Sequence, residues 1–165
     1  MNVLYKEIGR NILIIDKYFK LYLKTALKQY DLNTAEGMVL LTLYEQTGNT
    51  SVQILKNSHP ENFYATQNQL IDELHYDKGV MTRIIQNLVQ KGFVQRTDHP
   101  LDSRSNLLNV TDKALDFKPV LISILKKWND LFLTGFDEAS LDMLNKSLIT
   151  MAENAAAATK EWDIQ

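Results

Sequence analysis

The chain has 165 residues, enough for one domain with its own hydrophobic core and no need of a disulfide or metal staple. It is 45% hydrophobic and 23% charged, with six glycines and three prolines, which excludes the disordered and fibrous classes. A net charge of −2 argues against a general polyanion binder, so any nucleic-acid surface must be local, and the lack of cysteine removes thiol chemistry, thiol redox sensing and thiolate metal sites together.

The opening "MNVLYKEIGRNILIIDKYFK" spreads its charges among apolar residues and does not read as a secretion signal. No stretch approaches about 18 uninterrupted apolar residues, so no membrane span is expected and the default location is cytoplasmic. From Val3 to Tyr30, Ile8, Ile12, Ile15, Phe19, Tyr22 and Ala26 recur at spacings of four and three, the stripe of a long helix. Leu13, Ile14, Tyr18, Leu23 and Leu27 widen that stripe, which asks for more than one partner surface.

Asn33 with Glu36 forms a capping-box-like start for a short helix ending near Gly48. The segment from Asn49 to Tyr64 reads as a loop around a His59-Pro60 turn, with room for one helical turn at Val52 to Leu55. Thr66 and Gln69 make a second capping box ahead of "NQLIDEL", and Asp77 is an N-cap for "KGVMTRIIQNLVQK", which Gly92 closes. Two short helices with a tight connection are a helix-turn-helix candidate. In the second, Met81, Ile84, Ile85 and Leu88 share one side, while Lys78, Thr82, Arg83, Gln86, Asn87 and Gln90 point away.

"FVQRT" and "LLNV" around a polar, proline-containing tip predict a β-hairpin. A helix follows from Asp112 to Leu133, with Pro119 either near its start or at a kink. Thr134-Gly135 breaks the chain and Asp137 caps the last helix. That helix carries Leu141, Leu144, Leu148, Met151, Ala155, Ala158 and Trp162 in three-four alternation, a heptad seam.

The fold class is therefore mainly α with a small β-hairpin wing: a winged helix-turn-helix lobe at 33–111 with an insertion at about 49–64, and helices from both ends, 1–32 and 112–165, as a dimerisation region in a single 1–165 domain. The second helix of the lobe, Lys78 to Lys91, contains no acid. Its basic and amide side chains suit phosphates and base edges of double-stranded DNA. On the wing, Arg104 could enter a narrow minor groove with Asp102 orienting its guanidinium. His99, Asp102 and Ser103 also spell a hydrolytic triad, but they would sit on an open tip with no oxyanion hole, and no enzyme is expected. His59, His75 and His99 lack metal-ligand spacing, so neither metal nor cofactor is expected.

The terminal helices carry more apolar surface than a winged helix can cover, which a homodimer explains through Ile8, Ile12, Ile15 and Phe19 with Leu144, Leu148, Met151, Ala155, Ala158 and Trp162. Two-fold symmetry then predicts a palindromic site with half-sites about one helical turn apart. The alternative is a winged helix that contacts a protein through the same face and does not bind DNA specifically. Steep salt dependence would separate the two.

"TQNQLIDEL", "DKGVMTRIIQNLVQKGFVQR" and "HPLDSRSNLLNVTDKA" resemble the winged helix-turn-helix of the MarR family of bacterial transcription regulators. The likeness runs from about Thr66 to Ala114 in motif and along nearly the whole chain in helix order. It implies a dimeric DNA-binding regulator, usually a repressor, released when a small aromatic or anionic effector binds between the dimerisation helices and the DNA-binding lobe. With it, the expected DNA-contacting set is Thr66, Gln67, Lys78, Gly79, Val80, Thr82, Arg83, Gln86, Ser103 and Arg104. Tyr22, Tyr30, Met38 and Leu41 are the candidates for an effector pocket. Departures from the family pattern are His99 before the wing proline, Ser103 before Arg104, and about 14 extra residues in the stretch from Gly48 to Tyr64, a length that is commonly functional or disordered. That loop is expected to cover the groove near the effector pocket or the partner subunit.

Overall fold

A computed structural model of the protein describes residues 3–46, 65–98 and 106–162. The elements in order are α1 (Val3–Leu27), a 3-10 turn (Lys28–Tyr30), α2 (Thr34–Gln46), β1 (Ala65–Thr66), α3 (Gln67–Leu74), α4 (Lys78–Gln90), β2 (Val94–Asp98), β3 (Asn106–Val110), α5 (Asp112–Phe132) and α6 (Glu138–Trp162). The chain divides into two compact units, Met1–Lys126 and Lys127–Gln165.

In the first unit, α2 is buried round most of its circumference. Val39, Leu40, Leu43 and Tyr44 all lie in the core with Leu23 and Leu27 of α1, Leu70 of α3, the α4 stripe and Phe117 and Leu121 of α5. Gly37 permits close approach of α1 and α2: a Cβ there would come within 2.6 Å of Leu27 Cδ1. The Tyr44 hydroxyl donates to the Ala114 carbonyl at 2.5 Å and joins α2 to the start of α5. Burial pushes this phenol well above its ordinary pKa.

The expected N-terminal signals are all present as hydrogen bonds. The Asn33 N–H donates to Glu36 Oε2 and the Glu36 N–H to Asn33 Oδ1, both at 2.9 Å. The first helix ends at Leu27 and tightens into the 3-10 turn, so the predicted helix to Tyr30 is not α throughout. The expected hairpin is part of a larger object, an antiparallel three-stranded sheet in the order β1-β3-β2. Ala65 and Thr66 pair with Leu108 and Leu107, while Val94 pairs with Val110 and Arg96 with Leu108. Gly92, at φ 74°, makes the turn into β2 in a conformation that side chains with a Cβ avoid. Pro119 falls inside α5, past its first turn, where its ring removes one backbone hydrogen bond. The 49–64 insertion and the wing tip at 99–105 lie outside the described residues.

In the second unit, Trp128 and Phe132 stack with ring centroids 5.4 Å apart, and Asp137 caps α6 by accepting the Ser140 N–H at 2.8 Å. Hydrogen bonding from Ser140 holds the Asp137 carboxyl below the usual carboxylate range. Among the described residues no helix is long and apolar enough to cross a membrane.

Candidate nucleic-acid interface

The helix-turn-helix is assembled from local capping and one buried stripe. Thr66 starts α3: its Oγ1 accepts the Gln69 N–H at 3.3 Å, and its own N–H donates to Gln69 Oε1 at 2.7 Å. His75 ends the helix in the left-handed region at φ 53°, with its N–H on the Ile71 carbonyl. Asp77 then starts α4 by accepting the Val80 N–H at 2.8 Å. Met81, Ile84, Ile85 and Leu88 bury the inner side of α4, which turns Lys78, Gly79, Val80, Arg83 and Gln86 to the exterior.

Three of the predicted contact residues have a task within the lobe. The Thr82 hydroxyl donates to the Lys78 carbonyl at 2.7 Å and accepts from Gln67 Nε2 at 2.8 Å. Its one proton is committed, so Thr82 and Gln67 join α3 to α4, and the polar side chains left exposed on α4 are Lys78, Arg83, Gln86 and Gln90. Thr66 is likewise engaged in its capping box.

Beside this helix Thr66, Gln67, Asn68, Lys78, Arg96, Asn106 and Leu108 line a groove of about 220 Å³. Asn68, Arg96 and Asn106 were not among the expected site residues. Arg96 stood in the sequence only as part of the strand segment "FVQRT", and its pairing with Leu108 brings it to the rim that Lys78 occupies. An Asn109 Nδ2 to Thr97 Oγ1 hydrogen bond of 2.9 Å braces the two strands. Asp102, Ser103 and Arg104 lie outside the described residues.

The MarR family model matches residues 30–105 of this chain. The HTH-type transcriptional regulator BilQ of Clostridioides difficile (strain CD3) is 28% identical over 160 residues, 97% of either chain. A MarR transcriptional regulator from Methanosarcina mazei Go1 superposes with a TM-score of 0.78 at 26% identity, covering 93% of this chain and 99% of its own. In sequence and in fold the chain is similar to regulators of the MarR family. A MarR-family regulator from Listeria monocytogenes, complexed with 26-mer DNA, shares the fold with a TM-score of 0.78 at 23% identity, over 96% of this chain and 91% of its own. These relatives are transcription regulators, not enzymes, in agreement with the sequence reading.

The apolar seams expected at the two ends are exposed in part. On α1, Ile12 and Ile15 are exposed and are joined by Leu13, Tyr18 and Leu21, with Leu13 at 70%. Ile8 is half-buried, and Phe19 packs against the core of its own unit. On α6, Leu148, Met151, Ala155 and Ala158 are exposed and Leu144 is half-buried. The Trp162 side chain lies outside what is described.

The candidate effector residues are half-buried at the edge of the core. Tyr22, Tyr30, Met38 and Leu41 pack against the buried cluster. The Tyr22 hydroxyl donates to the Ile124 carbonyl at 3.2 Å, and the Tyr30 ring lies 5.0 Å from that of Phe117. A groove of about 440 Å³ lies elsewhere, between Lys17, Lys20, Leu21 and Lys24 of α1, Thr34 and Ala35 of α2, and Tyr76. Asp16, 2.8 Å from the Lys20 ammonium, hydrogen-bonds it and raises its pKa. Among the described residues no cluster of three or more His, Asp or Glu could hold a metal ion.

Proposed function

We propose that the protein is a homodimeric repressor that binds a palindromic double-stranded DNA operator and leaves it when a small anionic molecule binds. The observation that carries this reading is the outward side of α4. It presents Lys78, Arg83 and Gln86 from a helix whose inner side is fully committed to the core. Arginine forms bidentate hydrogen bonds to guanine and glutamine to adenine, while the exposed methyls of Val80 suit the methyl group of thymine. Lys78, Arg96, Asn68 and Asn106 around the adjoining groove are phosphate donors that set register without reading sequence. The 26-mer DNA held by the Listeria relative supports the same use of the lobe here.

The exposed apolar residues of α1 and α6 favour a second copy of the chain over a solvated monomer. For the effector, the groove under Lys17, Lys20 and Lys24 is better suited than the Tyr22 cluster. Leu21, Ala35 and Tyr76 offer it an apolar floor and the ammonium groups its charge. An effector that weakens DNA binding there must bind the DNA-free protein more tightly by the same factor.

The test is binding of wild type, Arg83→Ala and Arg104→Ala to the DNA upstream of the protein's own gene and to random duplex, at 50 and 200 mM salt. Tight, salt-sensitive preference for the upstream fragment, lost in Arg83→Ala and weakened in Arg104→Ala, is expected. Equal weak binding to both DNAs by all three proteins would overturn the repressor reading and favour a protein partner for this face.

A further inference from the structure

Helix α4 is held at its end as well as at its start. Glu36, in the first turn of α2, is 0% exposed. Its Oε2 accepts the Asn33 N–H at 2.9 Å and the Lys91 ammonium at 2.8 Å, and its Oε1 accepts the same ammonium at 3.1 Å. Lys91 is the C-cap residue of α4. Its Nζ also donates to the carbonyl of Asp31 at 2.6 Å, the left-handed residue that ends the turn after α1. The Lys91 carbonyl in turn accepts the Lys113 ammonium at 2.6 Å, and that ammonium sits 4.5 Å from the Phe93 ring centroid. The end of α1, the start of α2 and the start of α5 therefore converge on one residue at the end of the helix that presents Arg83.

A buried ion pair is not needed for stability, since apolar side chains of the same volume commonly do as well. What it adds here is direction: the ammonium must meet a backbone carbonyl and both carboxylate oxygens at once. Helix α4 has 13 residues, a length of about 20 Å at 1.5 Å per residue, so a tilt of about 5° at its end displaces the first turn by about 2 Å. A binding constellation works only when held within about 0.5 Å.

We propose that Lys91 is a positioning residue for DNA recognition: clasped by Glu36 and Asp31, it sets the tilt of α4 against α1 and α2 and so the placement of Arg83. The proposal rests on the reading of α4 as the DNA-contacting helix. Lys91 lies beyond the outward side of α4 and contacts DNA in no part of this scheme.

Lys91→Met and the double variant Lys91→Met/Glu36→Gln are compared with wild type, each well below its melting temperature. The single variant strands a buried carboxylate and melts lower. The double variant, with none stranded, recovers most of the melting temperature. It is expected to bind the upstream fragment at least tenfold more weakly than wild type while its affinity for random duplex changes less than twofold. Amide hydrogen exchange of the DNA-free protein is expected to quicken along α4 and stay unchanged in α3. An unchanged ratio of upstream to random affinity in both variants, or unchanged exchange in α4, overturns the proposal. Should wild type itself show no preference for the upstream DNA, the DNA reading fails, and the exchange measurement still decides whether Lys91 orders α4.

Discussion

Helices α1 and α4 each bury one stripe in the same core, yet they offer opposite chemistry on the other side. The outer side of α4 carries Lys78, Arg83, Gln86 and Gln90, and that of α1 carries Ile12, Leu13, Ile15, Tyr18 and Leu21. A polar side is at rest in water and acts only when a partner supplies matching hydrogen-bonding groups. An apolar side is held in water at a cost of about 25 cal/mol for each Å² left uncovered. Under the proposed function the difference separates two kinds of partner on one compact unit: DNA for α4, and another protein surface, the second copy, for α1.

The comparison breaks most readily at α1. Ile12→Glu with Ile15→Glu, both on exposed positions, is expected to leave the fold intact but convert dimer to monomer in light scattering. Operator affinity then falls about a hundredfold or more, because two linked half-sites are lost as a unit. Persistence of the dimer would move the interface away from this side of α1. Arg83→Ala comes next, with a loss of about 1–3 kcal/mol for the upstream fragment and relaxed preference at one base position, read by binding to a panel of single-base changes. Melting should not move.

Lys78→Ala sharpens the distinction within α4 itself. As a phosphate donor its loss should weaken all DNAs alike and lower the slope of log affinity against log salt by about 1. A base-selective effect instead would make Lys78 a reader. Tyr44→Phe is the control beneath both helices and should leave DNA binding of the folded protein unchanged. It removes a buried hydrogen bond worth about 1 kcal/mol. The raised Tyr44 pKa also means that the folded chain holds this proton more tightly than the unfolded one. That contribution is complete below the unfolded value of about 10 and lost as pH rises beyond it, so the wild type should destabilise above pH 10 more steeply than Tyr44→Phe in urea melts.

Features that depend on neighbours in sequence were legible without coordinates. The pairs Asn33 with Glu36 and Thr66 with Gln69, and the Asp77 cap, act within four residues, so residue type and spacing were sufficient to place the starts of α2, α3 and α4. The inner stripe of α4 and the positive φ of Gly92 follow from helical period and from glycine's missing side chain in the same way. Strand β1 was not anticipated, because two residues have no period and Thr66 showed only as a helix cap. The strand exists only because Leu107 and Leu108 meet it across the sheet. The four candidate effector residues share a helical spacing with ordinary core positions, and all four are half-buried against the core, Tyr30 beside Phe117 and Tyr22 bonded to the Ile124 carbonyl.

Residue order thus specified where helices begin, which sides they bury, and that one outer side is basic while another is apolar. These are short-range preferences and periodicities, expressed wherever the chain is locally ordered. The closure of the lobe was settled by long-range contact. Lys91 and Glu36 are 55 positions apart, Tyr44 and Ala114 are 70 apart, and Arg96 reaches the groove only through strand register. Such pairings depend on the core bringing distant segments together, and a buried charge such as Glu36 is tolerable only once they have met.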